Sequence, residues 1–275
     1  LTKATWPTID QKLKMKVKFS ISLTFLLAIL LSFKPLGLHK NLVRTVVIDA
    51  GHGGKDVGCA YGGVYEKDVA LKVALMVGEQ LKKVSPDIHV IYTRKTDVFV
   101  ELWERAGIAN RNNADLFISI HCNAVSNKPE AFGTETFAMG LHKSDGNLEV
   151  AKRENEVILL EKDYQERYEG FDPNSPEAHI YFSFMQSAYL EQSLKMADLV
   201  ETNFVAQKRL SRGVKQAGLM VLWKSKMPSV LIELGFLSNK DERVYLTSTK
   251  GQEELADAIT TAIIQYKTKT ESKSN

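Results

Sequence analysis

The sequence predicts an α/β fold built on a largely parallel sheet. From Arg44 onward short β-rich runs alternate with helical patterns, and the first of these runs ends in a Gly-rich turn. Residues 45–49 (TVVID) form a continuous apolar strand that leads into the turn at 50–54. Residues 66–84 follow with Val69, Val73, Val77 and Leu81 on one helical face. Residues 89–93 (HVIYT) read as the second strand, 101–112 as a helix, and 116–121 (LFISIH) as the third strand. Residues 133–139 (GTETFAM) alternate polar and apolar side chains, which suits an edge strand. Residues 141–180 change character, becoming charged and ending in the turn-rich GFDPNSP, and read as an insertion with one helix. A long helix at 182–209, strands at 218–222 and 230–234, and a final helix at 252–266 complete the pattern. The residues after 267 are polar and read as frayed, with 271–275 as a tail. One domain at 41–270 accounts for all of these elements, and no internal repeat is visible.

With 275 residues and 44% hydrophobic content, the chain carries enough apolar material for a real core, which excludes a disordered chain. A net charge of +3 from 36 basic and 33 acidic residues, scattered along the chain, argues against a nucleic-acid partner. Near the N-terminus, Lys14, Lys16 and Lys18 precede an apolar run at 19–33, the order of a secretory signal. That run is shorter than the ~20 residues of a membrane span. Basic residues on its N-terminal side leave the rest of the chain outside the cytoplasm, in the periplasm or cell envelope. Residues 1–40 are therefore expected to be an export signal, or a membrane anchor if uncleaved, because no small-x-small cleavage site stands before Gly37. Met15 opens the basic region as a natural start would, so residues 1–14 are expected to be upstream sequence that is not part of the protein in vivo. Cys59 and Cys122 have no metal-binding spacing, and a single bridge is not needed in so large a domain.

Open α/β sheets gather their functional side chains where strands end at the carboxyl side. Four residues occupy such places: His52 in DAGHGG, His121 in SIHCNA, Glu233 in SVLIELGF, and Glu66 at the head of the helix after the first turn. Two imidazoles and a carboxylate with one open position make the His2Glu set of a catalytic zinc. Glu233 would then take a proton from the metal-bound water and pass it to a leaving nitrogen. Each residue also has a plain reading. A lone histidine at a strand end is commonly a satisfied polar group, and Glu66 suits the first turn of a helix through the dipole alone. Glu233 differs, because a carboxylate after Val230, Leu231 and Ile232 in a buried strand needs a partner. Spacing alone leaves the two readings balanced. His39, His89, His142 and His179 lack this setting and read as surface or packing residues. GHGG lacks the Lys-Ser/Thr of a P-loop and the three glycines of a dinucleotide site.

Taken in order, VVIDAGHGGKDVG, YEKDVAL with Glu66, TRKTD, LFISIHCNA and MPSVLIELGFLSN resemble the zinc N-acetylmuramoyl-L-alanine amidase family. The resemblance covers residues 44–266. It implies that His52, Glu66 and His121 bind Zn2+, that Glu233 is the catalytic glutamate, and that a single twisted sheet is flanked by helices on both faces. It also implies peptidoglycan as substrate, cut between N-acetylmuramic acid and L-alanine in wall remodelling or daughter-cell separation. The same donors would serve a zinc carboxypeptidase acting on the stem peptide. A non-catalytic wall-binding regulator would keep the fold but has no reason to keep all four chemical positions.

The insertion is longer and more acidic than a minimal member of that family requires. If 147–163 is helical, Glu154 shares a face with Val150, Val157 and Ile158, whereas Glu149 and Glu156 find Lys152 or Arg153 at helical spacing and read as solvated ion pairs. A carboxylate in an apolar stripe needs compensation, which the open position of a zinc would supply, making Glu154 an inhibitory ligand. Division amidases of the resembled family carry a blocking helical insertion that an activator protein displaces, so an activator partner is implied. A solvated helix with Glu154 packed at its edge is the alternative.

Overall fold

The structure, a computed structural model, describes residues 9–10, 42–141, 144–183 and 188–272, of which those from 42 to 272 belong to one compact unit. The expected export segment at 1–40 lies outside the described residues except for Ile9 and Asp10, as do His39 and His142. No helix among the described residues is long and apolar enough to cross a membrane.

Strand β1 (Thr45–Ala50) is followed by a small hairpin, β2 (Ala60–Tyr61) and β3 (Val64–Tyr65), and by helix α1 (Glu66–Val84). Strand β4 (His89–Tyr92), helix α2 (Leu102–Arg111), and strands β5 (Leu116–Asn123) and β6 (Thr134–Met139) come next. The insertion then folds as helix α3 (Asp145–Asn155), a 3-10 turn at Glu156–Leu160, and helices α4 (Tyr164–Arg167) and α5 (Pro176–Ser183). Helix α6 (Leu190–Ala206), strands β7 (Ser211–Ala217) and β8 (Ser229–Phe236), and helices α7 (Lys240–Thr247) and α8 (Thr249–Ser272) close the chain. The main sheet has the order β4-β1-β5-β8-β6-β7. Every pairing in it is parallel except that of β6 with β8.

Alternation along the strands decides which layer each residue joins. Val46, Ile48 and Ala50, with Leu116, Ile118, Ile120 and Cys122 and with Val230, Ile232 and Leu234, pack under α1, α6 and α8. Val47, Phe117 and Leu231 point the other way, beneath α2 and the insertion. Farther along that second face each strand turns polar. Asp49 pairs in register with Ser119, and His121 with Glu233. The chemistry therefore lies on one face, at the carboxyl ends of the three central strands.

Several boundaries differ from the sequence expectation, each for a local reason. β6 is not an edge strand: its six residues are all buried because β7 covers its outer side, so the edges are β4 and β7. β7 lies at 211–217 rather than 218–222, and Met220–Leu222 forms a 3-10 turn whose apolar side chains fill the second core. The helix expected at 182–209 is two helices, and the insertion holds more than one. Helix α3 stops at Asn155 because that buried side chain donates to the Gly218 carbonyl (2.7 Å) and accepts from Met220 N–H (2.8 Å). The last helix runs from 249 to 272 and is not frayed after 267: Lys267 reaches Asp87 (3.0 Å) and Glu271 (2.6 Å), and Glu271 accepts from Val43 N–H (3.2 Å).

One buried ion pair sets the turn after β1. Arg105 on α2 donates to Asp49 (2.8 Å), to the Ala50 carbonyl (2.8 Å) and to the His52 carbonyl (2.8 Å). Asp49 also accepts from Thr93 and Ser119, each at 2.6 Å. Burial works against its charge, yet Arg105 and these hydroxyls hold the carboxyl below its usual range. Removing one partner of such a pair strands the other charge, so Arg105→Met should lower unfolding free energy by about 3–5 kcal/mol. Urea denaturation of the metal-free protein measures this, and a change within experimental error would show that the pair is dispensable.

Candidate metal centre

The turn after β1 carries His52 in a left-handed conformation (φ 60°), which aims its ring back over the sheet. Its Nδ1 lies 2.8 Å from Asp56 Oδ2, both groups buried, and Nε2 is left facing Glu66 Oε1 at 3.0 Å. Two glycines make room. A Cβ on Gly51 would stand 2.5 Å from the His121 ring, and one on Gly58 (φ 66°) would stand 2.6 Å from Glu66 Oε2.

Glu66 opens α1, but its side chain turns inward. Oε2 accepts from Cys59 N–H (2.9 Å) and Oε1 from Cys122 N–H (2.8 Å), which fixes the carboxylate between the turn and β5. His121, near the end of β5, brings Nδ1 to 3.1 Å from Glu66 Oε1. Glu154, near the end of α3, enters from the opposite side, with Oε2 at 2.9 Å from His121 Nδ1 and 3.4 Å from His52 Nε2. The four side chains are buried, and their donor atoms lie within 4.8 Å of one another.

This set fits a metal ion. His52 Nε2 and Glu154 Oε2 are buried and, although 3.0 Å from Glu66 and 2.9 Å from His121 respectively, make no hydrogen bond of good geometry, an arrangement that is costly unless an ion sits among these atoms. Two imidazole nitrogens and two carboxylate oxygens suit a divalent cation of borderline softness. The Asp56 contact to the far nitrogen of His52 is the partner that orients metal-binding histidines.

Glu233 is fully buried and stands beside His121 in register. It is not one of the four clustered donors. Its Oε1 accepts from Arg153 (3.1 Å), and its Oε2 has no partner among the described residues. The same Arg153 pairs with Glu154 Oε1 (2.9 Å) and donates to Asn123 Oδ1 (2.9 Å). The solvated pairing expected for Glu149 holds, with Lys152 at 3.0 Å, but Arg153 is turned inward and is not a solvated partner. His89 is exposed, and His179 is a packing residue, bonded to the Pro173 carbonyl (2.9 Å) and edge-on to Phe171. Sequence reasoning missed Arg153 and Asp56. Only the spacing of four from His52 pointed to Asp56.

The charges shape one another. Burial works to raise Glu66 and Glu154, but His52 beside the first, and His121 with Arg153 beside the second, hold both below the usual carboxylate range. Burial likewise works to lower the imidazoles. Glu66 and Asp56 nevertheless push His52 well above its ordinary value, and Glu154 with Glu66 pushes His121 to about 9. Glu233 behaves differently: burial raises it to about 8 in spite of Arg153.

Solved structures share this architecture. The N-acetylmuramoyl-L-alanine amidase from Clostridium difficile 630 matches with a TM-score of 0.61 and 29% identity, over 82% of this chain and 96% of that one. The CwlD amidase from Clostridioides difficile, solved in complex with the GerS lipoprotein, matches with a TM-score of 0.58 and 27% identity, over 81% and 98%. Fold and site together define an α/β amide hydrolase. The family model for N-acetylmuramoyl-L-alanine amidase matches residues 46–265. The amidase AmiA of Escherichia coli strain K12 is 30% identical over 237 residues, covering 85% of this chain and 79% of AmiA. The chain belongs to the N-acetylmuramoyl-L-alanine amidase family.

Metal ligation requires neutral imidazoles, whereas without a metal the surrounding carboxylates favour the protonated form of both rings. Metal uptake should therefore release protons and tighten as pH rises toward 9, where His121 loses its proton unaided. Calorimetric zinc titrations at pH 7.5, in two buffers of different ionisation enthalpy, should return about one proton or more per ion. Zero release would contradict the charge assignment. Asp56→Ala should weaken metal binding roughly 10–100-fold in the same assay.

Proposed function

We propose that this N-acetylmuramoyl-L-alanine amidase works with a zinc ion held by His52, Glu66 and His121, uses Glu233 as its base, and is held inactive by Glu154. The observation that carries the reading is the meeting of four buried donor atoms within 4.8 Å, two of them without a well-formed hydrogen bond, in a chain of this family. Zinc, when bound, lowers the pKa of a water and polarises the amide oxygen.

The protein's own part is positional and protonic. Asp56 holds His52 in one ring orientation, and the amides of Cys59 and Cys122 hold Glu66. Glu233 takes the proton of the attacking water and delivers it to the alanine nitrogen as the bond to the muramoyl carbonyl breaks. A carboxyl with pKa raised toward neutrality suits both halves of that transfer. In the closed form Arg153 sits on Glu233 Oε1 and Glu154 fills the position the water needs, so neither substrate nor base is free to act.

The lid reading rests on burial. Val150, Ala151, Val157 and Ile158 join the second core cluster, and Glu154 is turned with them toward the imidazoles. An activator protein that draws α3 away would open the site. CwlD was solved with a lipoprotein partner, which makes a protein partner for this chain a reasonable counterpart. The substrate is peptidoglycan, reached by export through the segment at 1–40, as a cleaved signal or a retained anchor; the periplasm or cell envelope is the corresponding location.

Glu233→Gln should lower turnover of purified peptidoglycan roughly 10²–10⁴-fold while keeping the wild-type metal content. His52→Ala and His121→Ala should lose metal and activity together. A Glu233→Gln enzyme at wild-type rate would remove the base from the mechanism. The readout is mass spectrometry of released fragments with a new N-terminal alanine, beside metal analysis of the same preparations.

Glu154→Ala should hydrolyse peptidoglycan faster than wild type, by roughly 5–150-fold if the lid is coupled to the site as strongly as typical regulatory contacts are. The point substitution is preferred to removal of residues 145–170, because that segment supplies apolar side chains to the core. A folded variant with an equal or lower rate would rule out the inhibitory role.

A further inference from the structure

We infer that Arg212 and Lys215, on edge strand β7, form a subsite for a carboxylate of the peptidoglycan stem peptide, beside the catalytic glutamate. The inference rests on the amidase reading and specifies which part of the substrate lies where.

Register places this pair close to the chemistry. Glu135 on β6 is the cross-strand partner of Glu233, so the two side chains emerge side by side from the same face of the sheet. Two carboxylates in that relation repel, and Glu135 is buried. It is neutralised from the next strand. Arg212 Nε donates to Glu135 Oε1, Lys215 Nζ lies 2.8 Å from the same oxygen, and Asn123 donates to Oε2 (3.2 Å). Two cations on one carboxylate leave a surplus positive charge next to Glu233.

That surplus is presented to open space. Arg212 commits only Nε to Glu135, and its two terminal nitrogens have no hydrogen-bond partner among the described residues. The Phe236 ring, 5.0 Å from the guanidinium carbon, holds the group in place. A fixed guanidinium with a free terminal fork is the group that best matches a carboxylate. Arg212 and Lys215 line a cavity of about 760 Å³ whose other wall is the first turns of α3, including Asp145 and Glu149, with Arg153 at its inner end.

A second cavity, about 380 Å³, is also lined by Arg153, together with His52, Cys59, Val157 and Leu160. Arg153 is its one lysine or arginine among the described lining residues. The bond to be cut joins a sugar without charge at that point to a peptide that bears carboxylates. The cavity with surplus cations suits the peptide arm, and the other suits the sugar. In the closed form the acidic start of α3 faces the basic pair, and when the helix leaves, the substrate's carboxylate takes its place.

The test measures binding to the zinc-loaded full chain carrying Glu154→Ala and Glu233→Gln, so that the ligand is not consumed. The probes are disaccharide tripeptides differing in one group: a second stem residue with a free carboxylate or its amide, and a third residue of diaminopimelate or lysine. The carboxylate that is read should improve affinity about tenfold, ~1.4 kcal/mol, and its arm identifies the source. Arg212→Ala and Lys215→Ala should each abolish most of that difference while leaving the amide or lysine probe within twofold. Arg212→Lys keeps the pairing with Glu135 but loses the fork, and should lose at least threefold of the discrimination. No discrimination in either arm by the parent, or equal losses on all probes, would overturn the subsite. Product analysis on the Glu154→Ala protein is separate: failure to release an N-terminal alanine there would overturn the amidase reading, whatever the binding arm gives.

Discussion

Two carboxylates, Glu66 and Glu154, approach the same two imidazoles inside the protein, and the rest of the site is arranged to make that tolerable. Like charges so close in a poorly solvated space cannot both stay ionised without compensation. Glu66 receives two backbone N–H bonds, Glu154 receives Arg153, and the carboxylates favour protonated imidazoles when no metal is bound. A divalent ion held there would replace those two protons with two charges of its own, so the carboxylates would meet the same total from a single centre. The site is thus balanced with metal or with protons, and the exchange between the two states couples metal affinity to pH.

The position of this centre follows from strand alternation. Val47, Phe117 and Leu231 anchor the sheet beneath α2 and the insertion, and two residues farther on the same face comes Asp49, Ser119 or Glu233. Arg105 holds the turn after β1 by its carbonyls as well as through Asp49, so the turn that carries His52 is tied to the neighbouring helix by a buried pair. On the sheet side, backbone bonds and buried pairs fix the donors. On the other side, the site is closed by side chains of the insertion.

That division explains what the sequence could and could not convey. His52, Glu66, His121 and Glu233 sit at strand ends or a helix head, where local pattern fixes position, and the structure brings the first three together with Glu233 beside them. Glu154 was legible because an acid interrupting the stripe of Val150, Val157 and Ile158 has few places to go. Arg153 was not, because its role depends on α3 ending two residues later, and that end is imposed by Asn155 binding the backbone at Gly218 and Met220, far away in sequence. The interior position of β6 was hidden for a similar reason. GTETFAM alternates as an edge strand does, but β7, with a polar pattern of its own, returns to cover it. Glu135 and Glu233 gave no sign of being neighbours, since antiparallel register between distant segments leaves no local trace.

The closed state uses adjacent residues for opposite tasks: Glu154 is set against the imidazoles and Arg153 against Glu233. A lid that only filled the metal's open position would leave the buried base unpaired, and one that only covered the base would leave the ion free to act on water. Joining both contacts in one turn of helix makes them break together, because withdrawing Glu154 carries Arg153 with it. Opening strands an acid and a base at once, and both must find new partners in the open form. Glu233 would then keep His121 as its registered neighbour and lose the cation that holds its carboxyl down. On the proposed reading, the helix that covers the metal site is also the element that places a cation on Glu233, so one movement would undo both contacts.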